Sequence, residues 1–279
     1  MEDAPTNGSG EASAASATTT RRRLLAGGAA VGVGGLAGCL GGRDGPVPAP
    51  EVTSDRIEEW RQTDASESTV FERSYGPVTV RALERTRIFE YAPVADALTE
   101  TVDASGSPVV FFATRIDLRP AVDRLPGGVG RDRVMGEVET AATDAFRARL
   151  RTAGIEDVAV AEEMTTTVRS GHTATAWRLT GEYALDGAIP LSTGSTTDVG
   201  GALDTGARLG VWHDGTDVIV AGGAYPTEPL LAVVGDALPA GVDAEAALTR
   251  LAGEEAAAAL ATDPADFDVD VSQLLISVA

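Results

Sequence analysis

RLGVWHDGTDVIVAGGA, residues 208–224, decides the fold. Arg208–Trp212 and Val218–Ala224 are two short runs rich in residues that favour strands, and Asp214-Gly215 between them is a tight-turn signal. The stretch predicts an antiparallel hairpin. Working upstream, Val70–Tyr75 and Val78–Tyr91 read as strands joined at Gly76-Pro77, and Val94–Val102 reads as a short helix behind Pro93. Val109–Leu118 reads as a strand, and Pro120–Gly130 as a Pro/Gly loop. Over Arg131–Ala153 the apolar residues Val134, Val138, Ala141, Ala142, Ala145, Phe146 and Leu150 recur at helical spacing, with Gly154 where a C-terminal cap belongs. Val158–Val168 and Ala174–Leu185 read as strands about a Ser170-Gly171 turn, and 185–205 as a long Gly/Ser/Thr loop. Downstream, Glu228–Leu238 and Ala244–Thr262 read as helices, the second capped by Asp243, and Leu274–Val278 as a last strand. Strands, a helix, more strands and then helices predict an α+β domain: a mainly antiparallel sheet with helices packed on it.

Composition narrows the function. The chain has 279 residues with 42 Asp+Glu against 22 Lys+Arg, a formal charge of −20, and every one of the 22 cations is Arg. A nucleic-acid binder needs clustered cations to neutralise phosphate, so that class is set aside. With no Lys, a Walker-type phosphate loop cannot be completed. Hydrophobic content of 43% is enough for a packed core. Twenty uncompensated charges repel one another in dilute buffer, whereas at molar salt the Debye length falls to roughly 3 Å and the repulsion is screened. The composition is therefore of haloarchaeal type.

The first fifty residues read as an address. Residues 1–20 are small and polar, and Thr20-Arg21-Arg22-Arg23-Leu24-Leu25 follows. Leu24–Leu40 is an apolar run holding six glycines, too short for a spanning helix, which needs about 20 apolar residues. It ends in Leu36-Ala37-Gly38-Cys39, and Cys39 is the sole cysteine. Small residues let a processing peptidase reach the backbone before Cys39, and the thiol supplies the nucleophile that takes a lipid as a thioether. Arg21 and Arg22 resemble the pair of a twin-arginine (Tat) export signal, and Leu36–Cys39 resembles a lipobox. Residues 18–45 together resemble the leaders of haloarchaeal Tat-exported lipoproteins. The resemblance implies three segments: a signal peptide over 1–38, a lipidated Cys39 with a Gly/Pro tether over 39–52, and a single extracellular domain over 53–279. It further implies the Tat machinery and the cell membrane as partners, the latter through the lipid. The exported domain resembles an uncharacterised family of haloarchaeal secreted proteins, which implies no known activity. In architecture it is loosely similar to PsbP-like sandwiches.

Candidate chemistry is sparse. His213-Asp214, with His172 and nearby hydroxyls, has the residue types of a hydrolase, yet a triad needs nucleophile, base and acid in contact, and no Gly-x-Ser-x-Gly elbow is present. Asp263, Asp266, Asp268 and Asp270 are of the type that binds a hard cation, but they lack the Gly and Glu of an EF-hand loop and read as a solvated acidic face. Trp60, Trp177 and Trp212 read as core or hairpin anchors, with Trp212 beside the turn the first to test for ligand contact. His213, Asp214 and Trp212 are thus the ligand-binding candidates, with no metal ligand, cofactor site or catalytic residue assigned. The sequence points to a lipid-anchored, non-catalytic surface module. The rival readings are a surface hydrolase using His213 and Asp214, and a solute- or metal-binding lipoprotein with a concave pocket.

Overall fold

A computed structural model of the chain describes residues 45–75, 78–102, 106–121, 131–190, 195–214 and 217–279. Seven strands follow one another as β1 (Trp60–Tyr75), β2 (Val78–Tyr91), β3 (Val110–Arg119), β4 (Ile155–Thr167), β5 (Thr173–Pro190), β6 (Thr196–Asp214) and β7 (Asp217–Pro226). The helices are α1 (Ala92–Val102), α2 (Arg131–Thr152), α3 (Leu230–Ala237), α4 (Ala244–Ala252), α5 (Glu254–Leu260) and α6 (Pro264–Ile276). The strands form one antiparallel sheet in the order β1-β2-β3-β7-β6-β5-β4. The α+β expectation holds.

The hairpin read first, β6–β7, lies inside the sheet, with Asp214 opposite Asp217 and Gly210 opposite Ala221. Both of its faces are covered, so β7 is buried almost throughout. α6 lies on one face: a Cβ at Gly210 would sit 2.9 Å from Leu275, and one at Gly223 would sit 3.1 Å from Val271. Such close approach explains glycine there. α2 lies on the other face through a four-residue spacing of buried side chains, Val134, Val138, Ala142, Phe146 and Leu150. Phe146 meets Phe112 with ring centroids 5.0 Å apart. β5 and β6 outrun the other strands, and α1 and α3 pack on that extension.

The edge strands are β1 and β4. Each breaks register twice, and β4 exposes Glu156, Glu162 and Glu163. Bulges and charge on an edge deter a second chain from adding to the sheet.

Four boundaries differ from the sequence reading. Residues 185–205 are not a long loop, because β5 continues to Pro190 and β6 begins at Thr196. Leu185, Ile189, Val199 and Leu203 are buried there, at strand alternation among small residues. Leu274–Val278 is not a strand. Its first residues end α6, and Val278 makes an isolated bridge to Val52. The helix expected over Ala244–Thr262 breaks at Gly253, whose φ of 93° and ψ of 173° no helix allows. β1 begins at Trp60 rather than Val70, since its polar outer half is held by pairing to β2 rather than by burial.

The expected tether also shortens. Gly45–Thr53 lies on the sheet face that carries α6, with Val47 and Pro50 buried. The Arg85 and Arg87 guanidiniums donate to the carbonyls of Val47 (3.2 Å) and Pro50 (3.3 Å), and Arg119 Nη2 donates to the Gly45 carbonyl (2.5 Å). Glu51 and Ala279 exchange two backbone hydrogen bonds of 2.9 Å each, tying this strap to the C-terminus. Arg21, Arg22, Cys39, the Pro120–Gly130 loop beyond Ala121 and Gly215 lie outside the described residues.

Candidate functional site

The residues singled out at the β6–β7 turn do not converge. Trp212, His213 and Asp214 are successive strand residues, so their side chains alternate between the two sheet faces. Trp212 is buried in the core rather than presented to a ligand. Asp214 meets His172: Nε2 of His172 and Oδ1 of Asp214 are 3.6 Å apart, both side chains part-exposed. His213 is half-buried opposite Val218. Trp60 is a core anchor, edge-on to Tyr91 (5.6 Å) and Phe111 (6.1 Å). Trp177 is half-buried and donates to Glu163 (3.2 Å).

The acidic run 263–270 divides: Asp263 and Asp266 are exposed, as on a solvated face, whereas Asp268 and Asp270 are engaged in the fold. Asp263 caps α6 by accepting from the Ala265 amide (2.9 Å), with Pro264 in the first turn. Asp268 accepts from Arg208 Nε (2.5 Å) and Nη2 (2.6 Å) and from the Tyr225 hydroxyl. Burial pushes its carboxyl up, but the Arg208 and Tyr225 bonds outweigh this and hold it below the usual carboxylate range. Burial and the neighbouring Asp268 push Tyr225 up to about 12. Asp270, only 6% exposed, pairs with Arg56, and burial raises its carboxyl despite that partner. Among the described residues, no three His, Cys, Asp or Glu side chains are arranged to hold a metal ion.

The concave site lies elsewhere, on the face covered by α2, where that helix ends. A cavity of about 640 Å³ opens between the C-terminal end of α2, the start of β3 and the paired β1 and β2. Ile88, Val110, Phe112 and Leu150 give it apolar walls, and Asp64, Glu90, Glu156 and Arg149 stand among its polar lining. Arg149 is already engaged: Nη2 donates to Glu84 Oε1 and Thr86 Oγ1, each at 3.0 Å. Its guanidinium also lies 5.6 Å from the centroid of the Phe112 ring. Glu90 accepts from Arg61 at 2.7 Å.

Tyr183 of β5 also lines this cavity and is 5% exposed. Gly154 makes room for its ring, and Gly106 lies in ordinary contact range of its hydroxyl. A Cβ at Gly154 would sit 3.2 Å from Cε2, and one at Gly106 would sit 3.8 Å from the hydroxyl; both residues have positive φ. Burial raises the phenol above its ordinary value. Among the described residues its hydroxyl has no hydrogen-bond partner.

Sequence reasoning places Tyr183 in a strand and Gly154 at a helix end but does not join them, because α2, β3 and β5 meet only in the folded chain. The alternation of Trp177, Leu179 and Tyr183 along β5 marks one face, which is the signal available beforehand.

A second hollow of about 460 Å³, between β1, α1 and α5, is lined by Glu58, Glu59, Asp96, Glu100 and Glu255 together with Arg61. Arg61 bridges Glu90 and Asp96 at its edge. Among the described residues, no helix is long and apolar enough to cross a membrane.

No curated protein and no solved structure matches the chain. One family model does, over residues 48–275, beginning within the docked strap and ending within α6. The chain therefore belongs to the family described as Domain of unknown function (DUF6517).

Proposed function

We propose that this protein is a lipid-anchored module on the surface of a halophilic archaeon, exported through the Tat route, and that it binds a ligand rather than catalysing a reaction. The observation that carries the anchor is Cys39. The chain's sole cysteine closes a glycine-rich apolar run behind Arg21-Arg22, with small residues before it. Cys39 lies six positions before Gly45, whose carbonyl accepts from Arg119 on the sheet. A diether lipid would supply two chains, and two chains hold a protein stably where one binds reversibly. The binding half rests on the cavity beside Tyr183, which is concave, largely apolar and furnished with few polar groups, as small-molecule sites are.

Fractionation of cells carrying Cys39→Ser tests the anchor. The natural protein is expected in the membrane fraction with the added mass of a lipid on Cys39, and the variant is expected released or unprocessed. A variant that stays on membranes with unchanged mass overturns the lipid reading. Replacing Arg21 and Arg22 together by Lys is expected to abolish export, and normal export of that variant rules out the Tat route.

A further inference from the structure

We infer that the cavity beside Tyr183 takes an uncharged, mainly apolar small molecule carrying one hydrogen-bond acceptor, a carbonyl or hydroxyl oxygen, which the Tyr183 hydroxyl engages. This deepens the binding half of the proposed function and rests on it.

Three observations carry the ligand class. The walls are aliphatic and aromatic, so most of the bound body is apolar. The ring of Tyr183 is buried, but its oxygen is not a buried unpartnered atom; among the described residues it donates to no protein group and stays open to the cavity it lines. A bound acceptor oxygen would supply a partner. The charge around the opening selects against anions: Asp64, Glu90 and Glu156 line it. Arg149 is held by Glu84 and Thr86 and Glu90 is paired with Arg61, so Asp64 and Glu156 are the lining carboxylates that an anion would meet. Leu150 and Thr152 in the last turn of α2 also line the cavity, and Arg149 and Arg151 of that turn offset the negative end of the helix dipole. A carboxylate or phosphate would meet Asp64 and Glu156 with Arg149 already committed to Glu84.

The glycines show that the ring position is built in. Gly154, with φ +88°, ends α2 against the Tyr183 ring, and Gly106, with φ +93°, passes the hydroxyl at ordinary contact distance. Side chains at both positions would carry backbone strain, and at Gly154 the Cβ would also press on the ring.

The test uses the full-length protein in molar salt, with N-phenyl-1-naphthylamine as a neutral fluorescent probe. Its saturable binding at one site is expected, with displacement by 2-nonanone and at least tenfold weaker displacement by nonanoate at pH 7. Tyr183→Phe keeps the ring and removes the donor. It is expected to weaken 2-nonanone about 3- to 10-fold, the worth of one neutral hydrogen bond. The probe offers no comparable acceptor, so its own affinity is expected to stay within about twofold on that scale. Val110→Phe, at the half-buried start of β3, fills the cavity and is expected to weaken both ligands.

Near-UV circular dichroism establishes that each variant is folded. Folded protein that fails to bind the probe, or binding unchanged by Val110→Phe, overturns the site. Nonanoate displacing as well as the ketone, or Tyr183→Phe leaving the ketone untouched, overturns the ligand class. None of these results bears on the lipid, which fractionation and mass measurement read independently.

Discussion

Asp268 joins α6 to the sheet through three hydrogen bonds, two from Arg208 and one from Tyr225. Removing the carboxylate leaves a mostly buried guanidinium and a part-buried phenol without their acceptor. Hydrogen bonds to charged groups are worth about 1.5–3 kcal/mol, so Asp268→Ala is expected to cost about 2–3 kcal/mol in urea unfolding at pH 7. Its pH dependence has a definite sign. The folded carboxyl titrates below its unfolded value, so its stabilisation is present above roughly pH 4 and is lost as pH falls through the folded value. The gap between wild type and variant should hold from neutral pH to the ordinary carboxylate range and then close in acid. Asp270, two positions on, carries the opposite sign. Burial raises it, so its proton favours the folded state, and the gain disappears as pH rises through the raised value. On lowering pH from neutral into the ordinary carboxylate range, wild type should gain stability relative to Asp270→Asn. Parallel curves for wild type and that variant would refute the assignment.

At the scale of elements, Gly253 is the sharpest test, because two readings of the chain predict opposite signs. If Ala244–Thr262 were one helix, Gly253→Ala would stabilise it by about 1 kcal/mol through helix propensity. In the fold, α4 ends and α5 begins at this residue, in a conformation essentially reserved for glycine. Nothing lies within 4 Å of an added Cβ, so the cost is backbone strain alone, about 1–3 kcal/mol in the destabilising direction. Thermal unfolding reads the sign directly. The same contrast shows what the sequence makes legible. α2 is legible because its buried residues recur every fourth position and Gly154 closes it. The β6–β7 hairpin is legible because its turn residues are local. The outer halves of β5 and β6 are not: Gly, Ser and Thr dominate there, and partners supplied by α1 and α3 decide that they are strands. α6 lay within reach, since Asp263-Pro264 begins it and Phe267, Val271, Leu274 and Leu275 follow at helical spacing. Its four aspartates drew the reading towards a solvated face. The cavity has no local signature, because its walls come from β1, β2, β3, α2 and β5 together.

For the molecule as a whole, charge and the N-terminal strap decide stability together. With residues 1–38 contributing equal numbers of acids and arginines, the remaining chain keeps the net −20. Its folded state should therefore strengthen as salt rises from about 0.1 M to 1 M, over which the Debye length contracts from about 10 Å to 3 Å. The strap acts on the same balance from inside. Arg85, Arg87 and Arg119 point onto the sheet face, where the carbonyls of Val47, Pro50 and Gly45 accept from them. Gly45–Thr53 is docked and so belongs to the fold rather than to a spacer. A chain that begins at residue 54 exposes the surface Val47 covers and loses the three guanidinium–carbonyl bonds and the pairing of Glu51 with Ala279. Burying one aliphatic side chain is worth about 1.5–3 kcal/mol, and each hydrogen bond adds about 1 kcal/mol. The shortened chain should therefore lose about 3 kcal/mol or more, a large share of a typical 5–15 kcal/mol. A chain that begins at Gly45 should unfold at the full-length midpoint. Equal midpoints for the chains beginning at 45 and at 54, compared at one salt concentration, would return the strap to the role of a mere tether.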